Sequence, residues 1–490
     1  VPVSNAAFTI KVTDASNFSA TKAFTLTVTA TYLKPVLTQP VLGTTTVGVP
    51  FSFTPVATNY PSSFTVSGLP AGIKYVAATK TITGRATVSG VFNVRIAAVN
   101  AAGARTALGS QLTVRALPNT LMGSFSGLVA RDATANAKLG STLSLTTTST
   151  GAYTAKVTTG ATLKSYIGGF LIPTAPQINS TATAALPALV LTLDTSTNLI
   201  SGTYNGAPIS GWKQTWNATT NPPVNLQGYY SVGIDLKDAG DDGISEIPQG
   251  SGYATFTVAA AGTLTVSGKT ADGQVITTSG FVGPNGQILV HTSLYANKGS
   301  ISGTLTLSED AEGAFANNVA SGDLTWVKPV TTGHTYETGF GLTALLNLKA
   351  YGKYLASAPT GQEVLGLPGT GLASLTFEDG GLGPAQSVID PDVTGFTYTD
   401  ANKILMPAVN TGKVALTIAP TSGLVGGSFT LVDSAPALTR KVIIQGQIVR
   451  TASGATKATG YFLLPQKPAP GKTLATSSIL SGKLSITQQQ

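Results

Sequence analysis

The chain has 490 residues, no cysteine and a formal net charge of +8 at pH 7. Without a thiol, it cannot form disulfides, Cys-ligated zinc sites, iron–sulfur clusters or a thiol nucleophile. Charged residues make up only 10% of the chain, against roughly 25% in an average soluble domain. Thr, Val and 55 glycines favour strands and tight turns over long helices. The composition therefore predicts an all-β protein.

The positive charge is dispersed along the sequence. Only Arg440 and Lys441 are adjacent basic residues, whereas nucleic-acid-binding proteins carry clustered Lys and Arg. Apolar residues alternate with Thr and Ser, and no uncharged apolar run approaches the roughly 18 residues of a membrane span. We therefore expect no nucleic-acid partner and no membrane span in this chain.

The first predicted element is a β-hairpin at Phe8–Ala30. The stretches "FTIKV" and "AFTLTV" alternate apolar and polar residues, and Asp14, Ser16 and Asn17 lie between them. The stretch Tyr32–Pro40 that follows is punctuated by proline and predicts a linker.

Short predicted strands with turns every eight to twelve residues follow the linker, a pattern typical of a β-sandwich. This region contains the motifs "GLPAGI" (Gly68–Ile73), "TKTITGRATVSGVFNVRIAAVNAAG" (Thr79–Gly103) and "LTV" (Leu112–Val114). With these motifs it resembles the immunoglobulin-like, cadherin-like repeats of large bacterial surface proteins. The opening hairpin resembles the last two strands of such a repeat. The resemblance implies part of one Ig-like repeat at 1–31, a complete Ig-like domain at 32–116, and the role of a surface spacer or adhesive stalk.

A repeated hairpin predicts three homologous β-sandwich or barrel modules after the Ig-like region. The hairpins centre on Gly151, Gly262 and Gly423. The glycine of a closing Ser-Gly motif follows the hairpin glycine after 60, 60 and 59 residues, respectively. The predicted modules span 117–221, 222–330 and 331–490, the third with an insertion near 353–410. The stretch Gly460–Ile486 resembles the C-terminal end of repeat-rich surface proteins of environmental Gram-negative bacteria, a resemblance that implies no biochemical activity.

An acidic stretch in the second module is the candidate metal site. Several carboxylates in a short Gly-containing loop suit Ca²⁺, which takes six to eight oxygen ligands. The residues are Asp235, Asp238, Asp241, Asp242 and Glu246. The spacing does not match an EF-hand, and the simpler interpretation is a solvated loop between two strands. "FEDGG", with Glu378 and Asp379, is a weaker candidate of the same kind.

Trp212 and Trp216 in "GWKQTW" are the candidate ligand-binding residues. On a strand they would share one face, and an exposed pair could stack on the sugar rings of a glycan. The alternative is core packing, which is favoured because Ile486 occupies the equivalent place in the third module.

The sequence contains two histidines, His291 and His334, and no pattern that predicts a catalytic site. We therefore expect a non-catalytic, extracellular structural or adhesive protein of the bacterial cell surface, a stalk, surface-layer or filament component. The alternative is a polysaccharide-binding module of a secreted protein or enzyme. The partial first repeat could be completed by copies of itself or by neighbouring surface proteins through β-edge contacts, or it could continue a longer stalk. No cofactor other than Ca²⁺ is expected.

Overall fold

The computed structural model describes residues 4–28, 33–104, 107–169, 176–310, 317–355, 364, 372–382, 390–399, 401–434, 437–451 and 453–488. Within these residues the chain is strand and turn, apart from the short α-helix α1 (Ala133–Asn136) and brief 3₁₀ turns. The all-β prediction is confirmed. The chain forms two compact units, one of residues 1–119, 148–152 and 169–174, and one of the remainder.

The opening hairpin consists of β1 (Ser4–Thr13) and β2 (Ser19–Val28), which pair antiparallel with Ser4 opposite Val28. Asp14 fixes the turn, since its Oδ1 accepts hydrogen bonds from the backbone N–H groups of Ser16 and Phe18, both at 2.9 Å. Asn17 takes the left-handed conformation that the turn needs, with φ of 66°.

Residues 43–115 form an Ig-like sandwich of two sheets. The strands are β3 (Gly43–Thr46), β4 (Pro50–Phe53), β5 (Ser63–Ser67), β6 (Ile73–Val76), β7 (Thr81–Arg85), β8 (Gly90–Asn100), β9 (Gly103–Ala104) and β10 (Leu108–Arg115). One sheet has the order β3-β10-β8-β5, with β9 paired to β8, and the other has the order β4-β7-β6. β3 and β10 are parallel, and the side chains of Val94, Ile96 and Leu112 are completely buried between the sheets.

Three eight-stranded sheets follow among the described residues. The first contains β11 (Gly123–Val129), β12 (Ser141–Thr147), β13 (Ala152–Thr159), β14 (Thr162–Gly169), β15 (Gln177–Ser180), β16 (Leu189–Asp194), β17 (Leu199–Tyr204) and β18 (Ala207–Lys213). The second contains β19 (Gly228–Leu236), β20 (Gly252–Val258), β21 (Thr263–Lys269), β22 (Val275–Phe281), β23 (Gln287–Leu294), β24 (Gly299–Ser308), β25 (Val319–Val327) and β26 (Leu346–Tyr354). The third contains β27 (Leu372–Asp379), β28 (Val393–Tyr398), β29 (Ile404–Leu405), β30 (Ala415–Ile418), β31 (Leu424–Ser434), β32 (Ala437–Arg450), β33 (Thr456–Pro465) and β34 (Ile479–Gln488).

The three sheets share an up-and-down order in which the first strand pairs with the last. The orders are β14-β13-β12-β11-β18-β17-β16-β15, β22-β21-β20-β19-β26-β25-β24-β23 and β29-β28-β27-β34-β33-β32-β31-β30. Each sheet is therefore a near-barrel. The pairing of its first strand with its last strand closes one side, and the two strands at the ends of the order border an open seam. The seam lies after the fourth strand in the first two sheets and after the third strand in the third.

The extents of the second and third sheets differ from the module boundaries expected from the repeated sequence motifs. β26 pairs with β19 and β25, so the second sheet extends beyond residue 330. β28 and β29 lie inside the expected 353–410 insertion and continue the third sheet, while 356–363 and 365–371 lie outside the described residues. The physical reason is that a glycine turn has the same local pattern wherever it falls in an up-and-down sheet, so it does not mark the last strand.

Apolar side chains that alternate along the strands fill the interior of the second and third sheets. Tyr230, Phe256 and Trp326 are almost fully buried in the second, and Phe396, Phe429 and Phe462 in the third. Among the described residues, no helix is both long and apolar enough to cross a membrane.

Candidate functional site

The five acidic residues of the calcium hypothesis are spread along the end of β19 and the loop after it. Asp235 belongs to β19, whereas Asp238, Asp241, Asp242 and Glu246 belong to the loop. The Oδ2 atom of Asp238 accepts a hydrogen bond from Nδ2 of Asn347 at 2.8 Å, so this carboxylate is occupied by β26. In the described part of the chain, no three acidic or histidine side chains are grouped to hold a metal ion. The calcium site stays a prediction without a preformed ligand set.

Gln249 holds the acidic loop in place. Its side chain is 8% exposed; its Oε1 accepts from the N–H of Gly243 at 2.8 Å. Its Nε2 donates to the carbonyls of Asp241 at 3.0 Å and Ile244 at 2.9 Å. A single buried amide thus satisfies backbone groups on both sides of Asp242, which gives that exposed carboxylate a fixed place.

Asp242 and Asp235 face a cleft between the second and third sheets, which we call the acidic cleft. Its volume is about 570 Å³, and its lining residues are Asp235, Leu236, Asp242, Gly243, Gln249, Gly250, Ser251, Glu378, Asp379 and Lys483. The cleft thus combines carboxylates of the second sheet with Glu378 and Asp379 of β27 and with Lys483 of β34. Four carboxylates face one lysine.

The carboxylates of the acidic cleft act on one another. Burial raises the pKa of Asp379 above its ordinary value, and the negative charges of Asp242 and Glu378 raise it further. Like charges held this close destabilise the ionised form. The Lys483 cation, which also lines the cleft, offsets part of this repulsion.

In the sequence, Asp242 and Glu378 belong to separate candidate loops. The fold unites them because β27 and β34 are neighbours in the third sheet and this sheet packs beside β19. The backbone N–H of Ser251 donates to the carbonyl of Gly460 at 3.0 Å, and that of Gln249 to the carbonyl of Ser481 at 3.3 Å. Lys483 belongs to the closing "LSGKLSI" motif of the third module, which gives no sequence signal of a site.

Trp212 and Trp216 pack against the second sheet. Trp212 is 4% exposed, and its Nε1 donates to the carbonyl of Phe281 at 3.3 Å. Trp216 is half-buried against the core of the second sheet, and its Nε1 donates to the carbonyl of Gly283 at 3.3 Å. Trp212 therefore offers no open ring face on which a sugar could stack, and the packing interpretation accounts for both residues.

The opening hairpin carries the other candidate surface. The face formed by Phe8, Ile10, Val12, Phe24, Leu26 and Val28 is apolar, and these side chains are 39–65% exposed. We call it the hairpin face. Phe8 and Phe24 stack on it with ring centroids 5.7 Å apart, while the opposite face carries Thr9, Thr25 and other polar residues.

Comparison with known protein families finds a match for one segment of the chain. Residues 34–115 match the family described as "Putative Ig domain", which confirms the Ig-like resemblance for the complete domain. No match was found among curated proteins.

Two solved structures are similar to the chain at a low level. One is a protein of unknown function from the DUF3598 family of Nostoc punctiforme, at 11% identity over 47% of this chain and 95% of that chain, with a TM-score of 0.14. The other is the protocadherin GammaB4 extracellular domain, at 9% identity over 90% of this chain and 88% of that chain, with a TM-score of 0.17. Neither score carries an argument about fold or function.

Proposed function

We propose that this chain is a non-catalytic structural or adhesive part of an extracellular bacterial surface protein, a stalk, surface-layer or filament component. The match of residues 34–115 to an Ig-like family supports the proposal, because such domains are used as spacers and adhesive units. The succession of similar β-modules in the described part of the chain supports it as well.

The Ig-like match of residues 34–115 is the observation that carries the proposal, and the hairpin face offers a surface on which to test it. In the complete Ig-like domain, the hairpin of β8 and β10 buries Val94, Ile96 and Leu112 completely. In the opening hairpin, Phe8 and Leu26 are 48% and 56% exposed. An apolar sheet face of this kind packs against a further β-surface, which either the neighbouring part of a longer stalk or another subunit supplies.

Association of the purified protein tests this proposal. Light scattering coupled to size exclusion, followed by electron microscopy, should detect assemblies of the unmodified chain that grow with concentration. Phe8→Ser with Leu26→Ser should abolish them, because the face loses its apolar area. Thr9→Asn with Thr25→Asn, on the opposite face, is the matched control.

Location is tested separately on the cells that encode the chain. Brief protease treatment of intact cells should release its peptides, as expected for a surface protein. A monomer at every concentration, together with peptides found only after lysis, would contradict the proposed function.

The polysaccharide-binding alternative has less support. It relies on Trp212 and Trp216, whose indole N–H groups are both engaged by carbonyls of the second sheet. We therefore prefer the structural role.

A further inference from the structure

The charge of the chain is unevenly distributed, because acidic residues are almost absent from its first part. Residues 1–119 contain nine of the 29 basic residues but only one of the 21 acidic residues, Asp14. Their net charge of +8 equals that of the whole chain, and the remainder, with 20 residues of each sign, is neutral. Residues 32–119, the linker and the Ig-like domain, hold seven of these cations and no carboxylate. The positive field of the domain is therefore not offset by any acidic side chain of its own.

Two of these cations lie on the outward face of the sheet β3-β10-β8-β5. In β8, Val94 and Ile96 are completely buried, while Arg95 between them is exposed. Arg115, the last residue of β10, is exposed as well. Arg95 is opposite Gly109, and Arg115 is six positions further along β10. At the rise per residue of a strand, the two arginines are roughly 20 Å apart along one face.

The face between the arginines carries uncharged polar side chains. Asn93 of β8 is opposite Gln111 of β10, and both are exposed. Thr113 of β10 is opposite Thr44 of β3, which is also exposed. Within the described residues of these four strands, the one large hydrophobic side chain more than a third exposed is Val91, at 61%. The face thus offers hydroxyl and amide groups between two guanidinium groups, and no exposed aromatic ring.

Such a face matches a polymer whose negative charges are separated by hydroxyl groups. A guanidinium binds a carboxylate through two parallel N–H···O hydrogen bonds, and hydroxyl and amide side chains both donate to and accept from sugar hydroxyls. A DNA duplex carries one charge per roughly 1.7 Å of its axis and favours denser rows of cations. Single-stranded nucleic acids stack their bases on aromatic side chains, and membrane surfaces bind apolar anchors beside cations. The face lacks all three features.

We propose that this outward face, which we call the arginine face, binds an acidic polysaccharide. Arg95 and Arg115 bind carboxylates of the polymer, and Asn93, Gln111 and Thr113 bind the hydroxyl groups between them. The other cations of the domain accelerate the approach of the polymer. This site is distinct from the one that the two tryptophans suggested, and the inference does not depend on the proposed surface role.

Isothermal titration calorimetry of the full chain tests the proposal with two acidic polysaccharides, polygalacturonate and alginate. At least one should bind, and its affinity should fall when NaCl is raised to about 0.3 M, because salt screens exposed charges. Dextran, a neutral polysaccharide, should not bind. Duplex DNA of mixed sequence should bind more weakly than the acidic polysaccharide.

Two charge-matched double variants locate the site. Arg95→Gln with Arg115→Gln should weaken binding by about tenfold or more, as expected for the loss of charge-assisted hydrogen bonds. Lys156→Gln with Lys441→Gln removes two exposed cations outside the Ig-like domain and should leave binding unchanged. Circular dichroism checks that both variants are folded.

The proposal is overturned if neither acidic polysaccharide binds, or if dextran binds equally well. Binding that persists in the folded Arg95→Gln, Arg115→Gln variant, or an equal loss in both double variants, overturns the arginine face as the site. Equal or tighter binding of duplex DNA overturns the polysaccharide and identifies a phosphate backbone as the partner.

Discussion

Arg440 and Asp433 form a buried ion pair inside the third sheet. The two residues are 1% and 2% exposed, and the guanidinium donates from Nε and Nη2 to the two carboxylate oxygens at 2.8 and 2.9 Å. Nη1 donates to the carbonyl of Pro465 at 2.8 Å. The carboxylate is also 3.6 Å from Lys467. Removal of the carboxylate would leave a buried cation without its counterion.

We expect Asp433→Ala to lower the free energy of unfolding by about 3–5 kcal/mol, because breaking one side of a buried pair leaves an uncompensated charge. Chemical denaturation followed by circular dichroism measures this loss. Asp323→Ala removes the exposed pair with Lys237, whose side chains are 42% and 64% exposed, and should leave the midpoint unchanged. Equal effects of the two substitutions would contradict the argument.

His291 is a buried histidine kept neutral by its surroundings. Burial and the nearby Arg131 cation lower its pKa from 6.5 to about 4. Its Nδ1 lies 3.1 Å from the hydroxyl of Ser302. Because the unfolded chain binds a proton at this residue at a higher pH than the folded chain does, stability from His291 is present above pH 6.5 and is lost as the pH falls towards 4.

The contribution of this proton is at most about 3 kcal/mol over that interval. We expect His291→Gln to make the free energy of unfolding fall less steeply between pH 6.5 and about 4, as measured by urea denaturation at a series of pH values. His334→Gln removes the other histidine of the chain and is the control. Parallel pH profiles for all three proteins would rule out this role of His291.

At the scale of elements, Arg131 joins the first sheet to the second. It follows β11, and its Nε donates to the Thr325 hydroxyl at 2.8 Å, while Nη2 donates to the carbonyls of Ser300 and Thr325 at 3.0 and 2.9 Å. Nη1 donates to the Ser300 hydroxyl at 2.7 Å and to the carbonyl of Lys138 at 2.8 Å. No carboxylate is among these acceptors, and burial lowers the pKa of Arg131 to about 10.

We expect Arg131→Lys to destabilise this junction by about 2–4 kcal/mol, because a single ammonium cannot reach acceptors on both β24 and β25. Hydrogen–deuterium exchange should become faster at Ser300 and Thr325, and the unfolding midpoint should fall. Lys156→Met, which removes an exposed cation from β13 of the same sheet, should change neither. Unchanged exchange at β24 and β25 in Arg131→Lys would contradict the junction.

At the scale of the whole molecule, sequence patterns predicted local hairpins and turns but not the order in which distant strands pair. The alternation and turn residues of Phe8–Ala30 predicted β1 and β2, and the glycines at 151, 262 and 423 do lie in hairpin turns, with φ of 77°, 73° and 71°. The first two turns join the second and third strands of their sheets, but the third joins the fourth and fifth. Turn chemistry is local and does not encode a strand's place in the order.

The acidic cleft could not be predicted for the same reason. Asp235 and Glu378 meet only because two separate sheets pack together, and nothing in either short sequence indicates the other. The burial of Trp212 was favoured from the sequence because Ile486 holds the equivalent place, a comparison that needs no knowledge of distant contacts. A pattern that is repeated along the chain indicates which residues pack in the core. A cluster of residues from two sheets forms only when the chain is folded, so neither sequence stretch indicates it.

The pairing of first and last strands determines how each part of the chain would respond to a pulling force. In the Ig-like domain β3 and β10 run parallel, so tension on its two ends loads every hydrogen bond of that pair together. In the three larger sheets the terminal pairs β11–β18, β19–β26 and β27–β34 are antiparallel, so tension opens their bonds one at a time. We expect single-molecule force spectroscopy to unfold the three sheets at lower force than the Ig-like domain, so that the sheets act as extensible segments and the Ig-like domain as a stiff one.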